Sequence, residues 1–292
     1  MSQGSASPLA PRVRIMGVVN VTPDSFSDGG RFLEPARAIE HGLELLAQGA
    51  DLLDIGGESS RPGALGLEPA EELRRVLPVV AGLRERTHVP LSIDTVHAEV
   101  ARQALEAGAT IVNDISAGRA DAGMLALVAS RAAGFVAMHM QGSPRDMQRD
   151  PRYADVVAEV REFLRERSGA ALAAGIAREQ VWIDPGIGFG KTLEHNLALL
   201  AGLERLCELG QPLLVGVSRK SFLGALEQRA GRAPLAPHER LGGTLAASLR
   251  AARAGAAILR AHDVAPLRQA LEVERALGPL CRAGPPGHNR PA

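Results

Sequence analysis

Eight times along this chain a short, nearly continuous apolar run is followed by a segment patterned as an amphipathic helix, and few folds can use that repeat. VRIMGVVNV (13–21) leads into PARAIEHGLELLAQGA, where Ala38, Leu45 and Leu46 recur at helical spacing. DLLDIGG then precedes PAEELRRVLPVVAGLRER, PLSIDT precedes HAEVARQALEAGA, TIVNDIS precedes GMLALVASRAA, and GFVAMHM precedes DVVAEVREFLRERSGAALAAG. VWIDPGI precedes LEHNLALLAGLERLCELG, PLLVGVS precedes a helix-rich segment ending near Gly255, and AAILRAHDV precedes PLRQALEVERAL. Runs this apolar are strands buried on both faces, as in a parallel sheet covered by helices. Eight units in 292 residues match a (β/α)8 TIM barrel, although alternation by itself also permits an open doubly wound sheet. The expected fold is therefore α/β, a barrel over residues 12–278, with its site at the C-terminal ends of the strands. Gly49, Gly108, Gly134, Gly210 and Gly255 are expected to close helices before the next strand. Residues 1–11 and 279–292, rich in small residues, Pro and Gly, read as a disordered and a flexible tail.

Composition removes several function classes. Lys+Arg and Asp+Glu balance at 33 each, so no global field draws nucleic acid or a membrane surface. Aromatic residues make up 3%, too few to stack successive bases. Cys207 and Cys281 are far apart and form no metal-binding or disulfide pattern. The N-terminal stretch has no secretory pattern, and no apolar run reaches the ~20 residues that span a bilayer. A cytoplasmic protein acting on small molecules is expected.

Polar residues interrupt the apolar runs in a systematic place. The runs end, in order, at Asn20, Asp54, Asp94, Asn113-Asp114, His139, Asp184, Ser218-Arg219-Lys220-Ser221 and Arg260-Ala261-His262. Any one of them could be a turn or cap residue, and Asp51, Asp114 and Asp263 read that way. Eight in register define a rim that binds a ligand. Asp94, Asn113 and Asp184 supply acceptors for a flat heterocycle with N–H donors, because a carboxylate accepts two parallel N–H bonds from an amino-pyrimidine edge. Lys220, Arg260 and His262, with Asn20, supply donors for a phosphate or diphosphate. Met138-His139-Met140 reads as barrel lining, and His41, His97, His195 and His238 as solvent-facing.

DPGIGFGKT (184–192) imitates a phosphate-binding loop, yet Pro185 stands where that loop needs its first glycine, and proline has no N–H to offer. Nucleotide binding is therefore not expected, and Lys191 is expected on the rim with little part in function.

Taken together, MGVVNVTPDSFSDGG (16–30), DIGGESSRPGA (54–64), SIDT (92–95), NDISAG (113–118), MHMQGSPRDMQ (138–148), DPGIGFGK (184–191), SRKSFLG (218–224) and LRAHDV (259–264) resemble the bacterial dihydropteroate synthases over nearly the whole chain. The resemblance implies a homodimeric barrel that joins 6-hydroxymethyl-7,8-dihydropterin diphosphate to 4-aminobenzoate, giving 7,8-dihydropteroate and diphosphate. It implies that Asp94, Asn113, Asp184 and Lys220 bind the pterin, and that Asn20, Arg260 and His262 hold the diphosphate, Asn20 together with Mg2+. It assigns the aminobenzoate pocket to Phe26, Ser60, Arg61, Pro62, Phe189, Lys220 and Ser221, where many family members carry Thr in place of Ser60. Asp94, Asp184, Lys220, Arg260 and His262 are the implied catalytic set. Gly242-Gly243 and AGRAPLAPHER are expected to stay clear of the chemistry. A pterin-binding paralogue without activity, or a methyltetrahydrofolate-dependent methyltransferase, would share the barrel. The second has no need of the SRKS and Arg-x-His anion grip.

Overall fold

The computed structural model describes residues 12–21, 33–58, 63–64 and 66–282. Within them lie the strands β1 (Arg14–Asn20), β2 (Leu52–Gly56), β3 (Leu91–Asp94), β4 (Ile111–Asp114), β5 (Gly134–Met138), β6 (Val181–Asp184), β7 (Leu214–Gly216) and β8 (Ile258–Ala261). Each falls inside one of the expected apolar runs. The helices are α1 (Leu33–Ala47), α2 (Pro69–Arg86), α3 (Ala98–Glu106), α4 (Met124–Ser130), α5 (Val156–Ala173), α6 (Leu193–Ala201), α7 (Leu203–Cys207), α8 (Ser221–Arg229), α9 (Leu241–Arg253) and α10 (Val264–Arg282).

All strand pairs are parallel, in the order β6-β5-β4-β3-β2-β1-β8-β7. A single bridge, Ile183 to Leu213, joins β6 to the approach to β7 and closes the ring. The open-sheet alternative is thereby removed. Among the described residues no helix is long and apolar enough to cross a membrane.

Strand alternation sorts the side chains into two cores. Residues such as Ile15, Leu53, Ile93, Val112, Phe135 and Ile183 face outward and are buried beneath the helices. Met16, Leu52, Ile111, Val136, Trp182, Leu214 and Ile258, one from each of seven strands, plug the lumen. Arg14 closes the plug from below, its guanidinium 4.9 Å from the centre of the Trp182 ring.

Several local details differ from expectation. Unit six splits at Gly202 into α6 and α7, and a side chain at that glycine would press on Val157 at 3.1 Å. Gly49, Gly108, Gly210 and Gly255 do take positive φ after their helices, but Gly134 is the first residue of β5. The left-handed position after α4 is filled by Ala132 (φ 48°). Gly242 and Gly243 lie in α9, ahead of β8. α10 runs on to Arg282, past the boundary expected at 278.

Candidate functional site

The lumen plug predicts the floor of the site. Two residues further along the same strands, alternation returns each side chain to the lumen, which places Val18, Asp54, Asn113, Met138, Asp184, Gly216 and Arg260 one layer higher. Asp94 of β3 joins them, in register with Gly56 on one side and Asn113 on the other. An apolar layer is thus overlaid directly by a charged one at the strands' C-terminal ends.

Asp54 organises that layer, a part that its place on the expected rim does not by itself assign. It is completely buried, and its Oδ2 accepts from Asn113 Nδ2 at 2.9 Å and from Arg260 Nε at 2.6 Å. Its Oδ1 is buried without a partner among the described residues. Because the carboxylate can only accept, it fixes Asn113 with its NH2 toward Asp54, leaving the amide oxygen as the acceptor for a ligand.

Arg260 reaches further across the lumen than its strand end implies. Besides Asp54 it donates from Nη2 to Asp94 Oδ2 at 2.9 Å. The expected division into an acceptor side and a donor side is therefore corrected: Arg260 and Asp94 are one ion pair. Burial opposes the charge on Arg260, but Asp54 and Asp94 outweigh it and hold the guanidinium above its ordinary range. Burial raises Asp94, and the negative Asp54 raises it further against the pull of Arg260.

The DPGIGFGKT stretch takes its shape from its glycines. Gly186, Gly188 and Gly190 all have positive φ. A side chain at Gly186 or Gly190 would collide with the backbone oxygens of His139 or Gln141, at 1.9 and 2.5 Å. The stretch is pressed onto the end of β5 and is no phosphate cradle. Asp184 Oδ1 accepts from Gly186 N at 2.7 Å, which leaves Oδ2 for a ligand. Thr192 then starts α6 with a capping box: its Oγ1 accepts from His195 N, and His195 Nδ1 accepts from Thr192 N, both at 3.2 Å.

Two lysines fasten this loop. Lys220, delivered by the turn after β7, donates to Ile187 O and lies 4.5 Å from the centre of the Phe189 ring. Burial lowers it to about 8, against the attraction of Asp184. Lys191 is not on the rim. It is 3% exposed, and its Nζ lies 2.8 Å from Phe189 O, 3.4 Å from His139 O and 2.9 Å from His139 Nδ1. Burial pushes its pKa well down. Burial holds His139 near 2, with Lys191 and Arg119 adding to the shift. Met138, Met140 and Met147 pack around Ile115 and Phe189 as lining, as expected, whereas the His139 ring packs edge-on against Phe163, 4.8 Å between centres.

Around the other half of the mouth, Asn20 is half-buried at the end of β1, and Ser221 is exposed at the first position of α8. His262 N and Nδ1 lie 3.2 and 3.0 Å from Ser218 Oγ, which fixes the ring beside the mouth. Arg219 (φ 59°) directs its charge to Asp263 in a two-bond ion pair at 2.9 and 2.5 Å. Thr244 Oγ1 accepts from its N–H and Arg240 donates to its carbonyl, so the AGRAPLAPHER segment and α9 do support the turn that presents Lys220. Asp114 accepts from Ser116 N and Gly118 N, and Asp51 from Ile15 N; both are structural, as expected. His41, His97 and His195 are half-buried where solvent exposure was expected, while His238 is exposed. Phe26, Ser60, Arg61 and Pro62 lie outside the described residues.

Comparison with known proteins gives this geometry a context. The family described as pterin binding enzyme matches residues 16–262. The dihydropteroate synthase of Mycobacterium leprae (strain TN) is 47% identical over 279 residues, covering 95% of this chain and 96% of the relative. A solved structure of Xanthomonas albilineans dihydropteroate synthase with 4-aminobenzoic acid superposes with a TM-score of 0.85 at 51% identity, covering 91% of this chain and 93% of that one. The same enzyme in complex with 7,8-dihydropteroate gives a TM-score of 0.82 at 49% identity, covering 91% and 94%.

Proposed function

This chain belongs to the pterin-binding enzyme family, and from that premise we infer that its barrel mouth carries out the dihydropteroate synthase reaction. It joins 6-hydroxymethyl-7,8-dihydropterin diphosphate to 4-aminobenzoate, releasing 7,8-dihydropteroate and diphosphate. One observation carries the assignment of the pterin site: Asn113 and Asp184 bring buried acceptors to the same charged floor, with the Lys220 ammonium over the loop that follows Asp184. The amino-pyrimidine edge donates to these acceptors and Lys220 donates to a ring acceptor, so the ring is oriented by complementary hydrogen bonds.

As the bond from the pterin methylene to the diphosphate oxygen breaks, positive charge spreads from the methylene into the ring. The carboxylates of Asp184 and Asp94 stabilise it. Negative charge collects on the leaving diphosphate beside His262 and Asn20, and Nη1 of Arg260 is the guanidinium nitrogen left for it once Nε and Nη2 have engaged Asp54 and Asp94. The arylamine nitrogen then bonds to the methylene and loses its proton to solvent. No covalent intermediate with the protein is needed.

Asn20 would hold Mg2+, whose charge neutralises the departing diphosphate. An amide oxygen is a hard donor, and a single protein ligand suits an ion that keeps waters and takes substrate phosphate oxygens. The aminobenzoate pocket takes Phe189, positioned by Lys220 and Lys191, with Ser221; Phe26, Ser60, Arg61 and Pro62 complete the assignment. A cytoplasmic homodimer is part of this reading. Val273 and Leu277 on α10, 55% and 48% exposed, are apolar side chains for a second copy to cover.

The test is direct: incubate the protein with the pterin diphosphate, 4-aminobenzoate and Mg2+, and quantify dihydropteroate and diphosphate. Equimolar products are expected. Pterin diphosphate bound without any product would instead mark a binding paralogue. Asp184→Ala should weaken pterin diphosphate binding by about 100-fold or more, the scale for losing one partner of a buried charged hydrogen bond. Unchanged affinity in a calorimetric titration would remove Asp184 from the pterin site.

A further inference from the structure

A second group of ligating side chains lies outside this machinery. Glu58 follows β2, Glu72 is in the first turn of α2, and His97 is the N-cap residue of α3. They converge where two neighbouring units meet, and one ligand atom from each lies within 4.8 Å of the other two. Glu72 is 0% exposed, yet neither of its carboxyl oxygens has a hydrogen-bond partner among the described residues. The neighbouring cation makes its hydrogen bonds elsewhere, Arg75 donating to Glu71 Oε1 at 2.8 Å and to Gly57 O at 3.0 Å, so it acts on Glu72 only through space. Buried carboxylates are ordinarily paired or bound to metal, because stripping one of water costs several kcal/mol. Burial pushes Glu72 up to about 7 against the pull of the Thr95 hydroxyl beside it and of the Arg75 charge, and the charge of Glu58 adds to the rise.

The fold makes room for this arrangement. A side chain on Gly57 would meet Val76 at 2.8 Å and Glu72 Cγ at 3.2 Å, so glycine lets the chain pass directly over Glu72. Glu58 also lines a cavity of about 340 Å³ with Asp94, Thr95 and Ser116, which offers a route in from the mouth.

We propose that Glu58, Glu72 and His97 bind a divalent transition-metal ion at a site separate from the diphosphate. Two carboxylates and one imidazole suit Zn2+, Mn2+ or Fe2+ better than Mg2+ or Ca2+, which prefer an all-oxygen shell. Three protein ligands leave further positions for water. The ion neutralises the charge on Glu72 and ties the end of β2 to the starts of α2 and α3.

The experiment uses full-length protein stripped of metal by a chelator, with no pterin or diphosphate present. Zn2+ is titrated by calorimetry and Co2+ by visible absorption. One equivalent should bind, with a Co2+ ligand-field band. Removing a second-sphere partner already costs about 10–100-fold in metal affinity, so Glu72→Gln and His97→Ala should each weaken binding by at least about tenfold. Asn20→Ala should leave it unchanged. The proposal fails if no stoichiometric ion binds, if both variants bind like the parent, or if Asn20→Ala removes the ion. Should Glu72→Gln not fold, the partly exposed His97→Ala decides alone. A metal-free Glu72→Gln protein more heat-stable than a metal-free parent that takes up no ion would show a protonated carboxyl pair instead, and would also overturn it.

Discussion

Lys191 and Lys220 hold the same loop but answer to different tests. In the proposed function Lys220 offers its charge to the ligand, and burial lowers its pKa to about 8. The free-enzyme kcat/KM should therefore fall above pH about 8, and Lys220→Arg, if it still turns over, should move that limb to higher pH. Stability moves the opposite way. Between pH about 8 and the ordinary lysine value of 10.5 the unfolded chain holds the extra proton, so this group's contribution makes the fold more stable as pH rises through that window. A flat pH–rate profile above 8 would contradict the role given to Lys220. Lys191→Ala leaves the carbonyls of Phe189 and His139 short of a donor, and it should lower stability by about 2 kcal/mol in denaturant unfolding. It should also raise KM for aminobenzoate, because Phe189 loses an anchor. Asp94, Asn113, Asp184, Arg260 and His262 were legible in the sequence because each interrupts an apolar run at its end. Asp54 was legible as a rim residue in the same way, but its part was hidden because it depends on Arg260, 206 residues away. Lys191 misled because a lysine after a glycine-rich turn looks exposed until the turn is folded onto β5.

At the scale of elements, the eight repeats were readable because the period of the hydrophobic pattern changes from strand to helix, which composition cannot blur. The junctions were less readable. Four helix-closing glycines fell where expected, but Gly134 is needed for another reason: a side chain there would meet Ile111 at 3.1 Å. Ala132 holds the left-handed conformation in its place, exposed and strained. Ala132→Gly should stabilise the protein by about 0.5 to 1 kcal/mol, the relief of left-handed strain less the added freedom of the unfolded chain. A lower denaturation midpoint in that variant would show that the φ of Ala132 is not the controlling term. The need for glycine at 202 was illegible because it depends on Val157, which packs against the helix there. Local pattern does not record that.

Across the whole molecule the ring of strands is unevenly joined. β1 and β2 share five registered pairs, whereas β6 meets the approach to β7 through the single bridge at Ile183 and Leu213. Amide exchange followed by mass spectrometry should be faster in peptides covering 181–184 and 213–216 than in those covering 14–20 and 52–56, and pterin diphosphate should slow the first pair most. Equal protection in all four would mean that the joint is as tight as the rest. Asp184 stands at the end of β6 on one bank of that joint, and Lys220 just beyond β7 on the other. A hoop fastened loosely at one place takes its stiffness from whatever is riveted across the gap. On the proposed pterin site, a flat ring gripped by both residues would be such a rivet, contributing about 2.7 kcal/mol to the closed hoop at a ligand concentration 100 times Kd. The substrate is then also a structural member, and the empty enzyme is the molecule with a part missing.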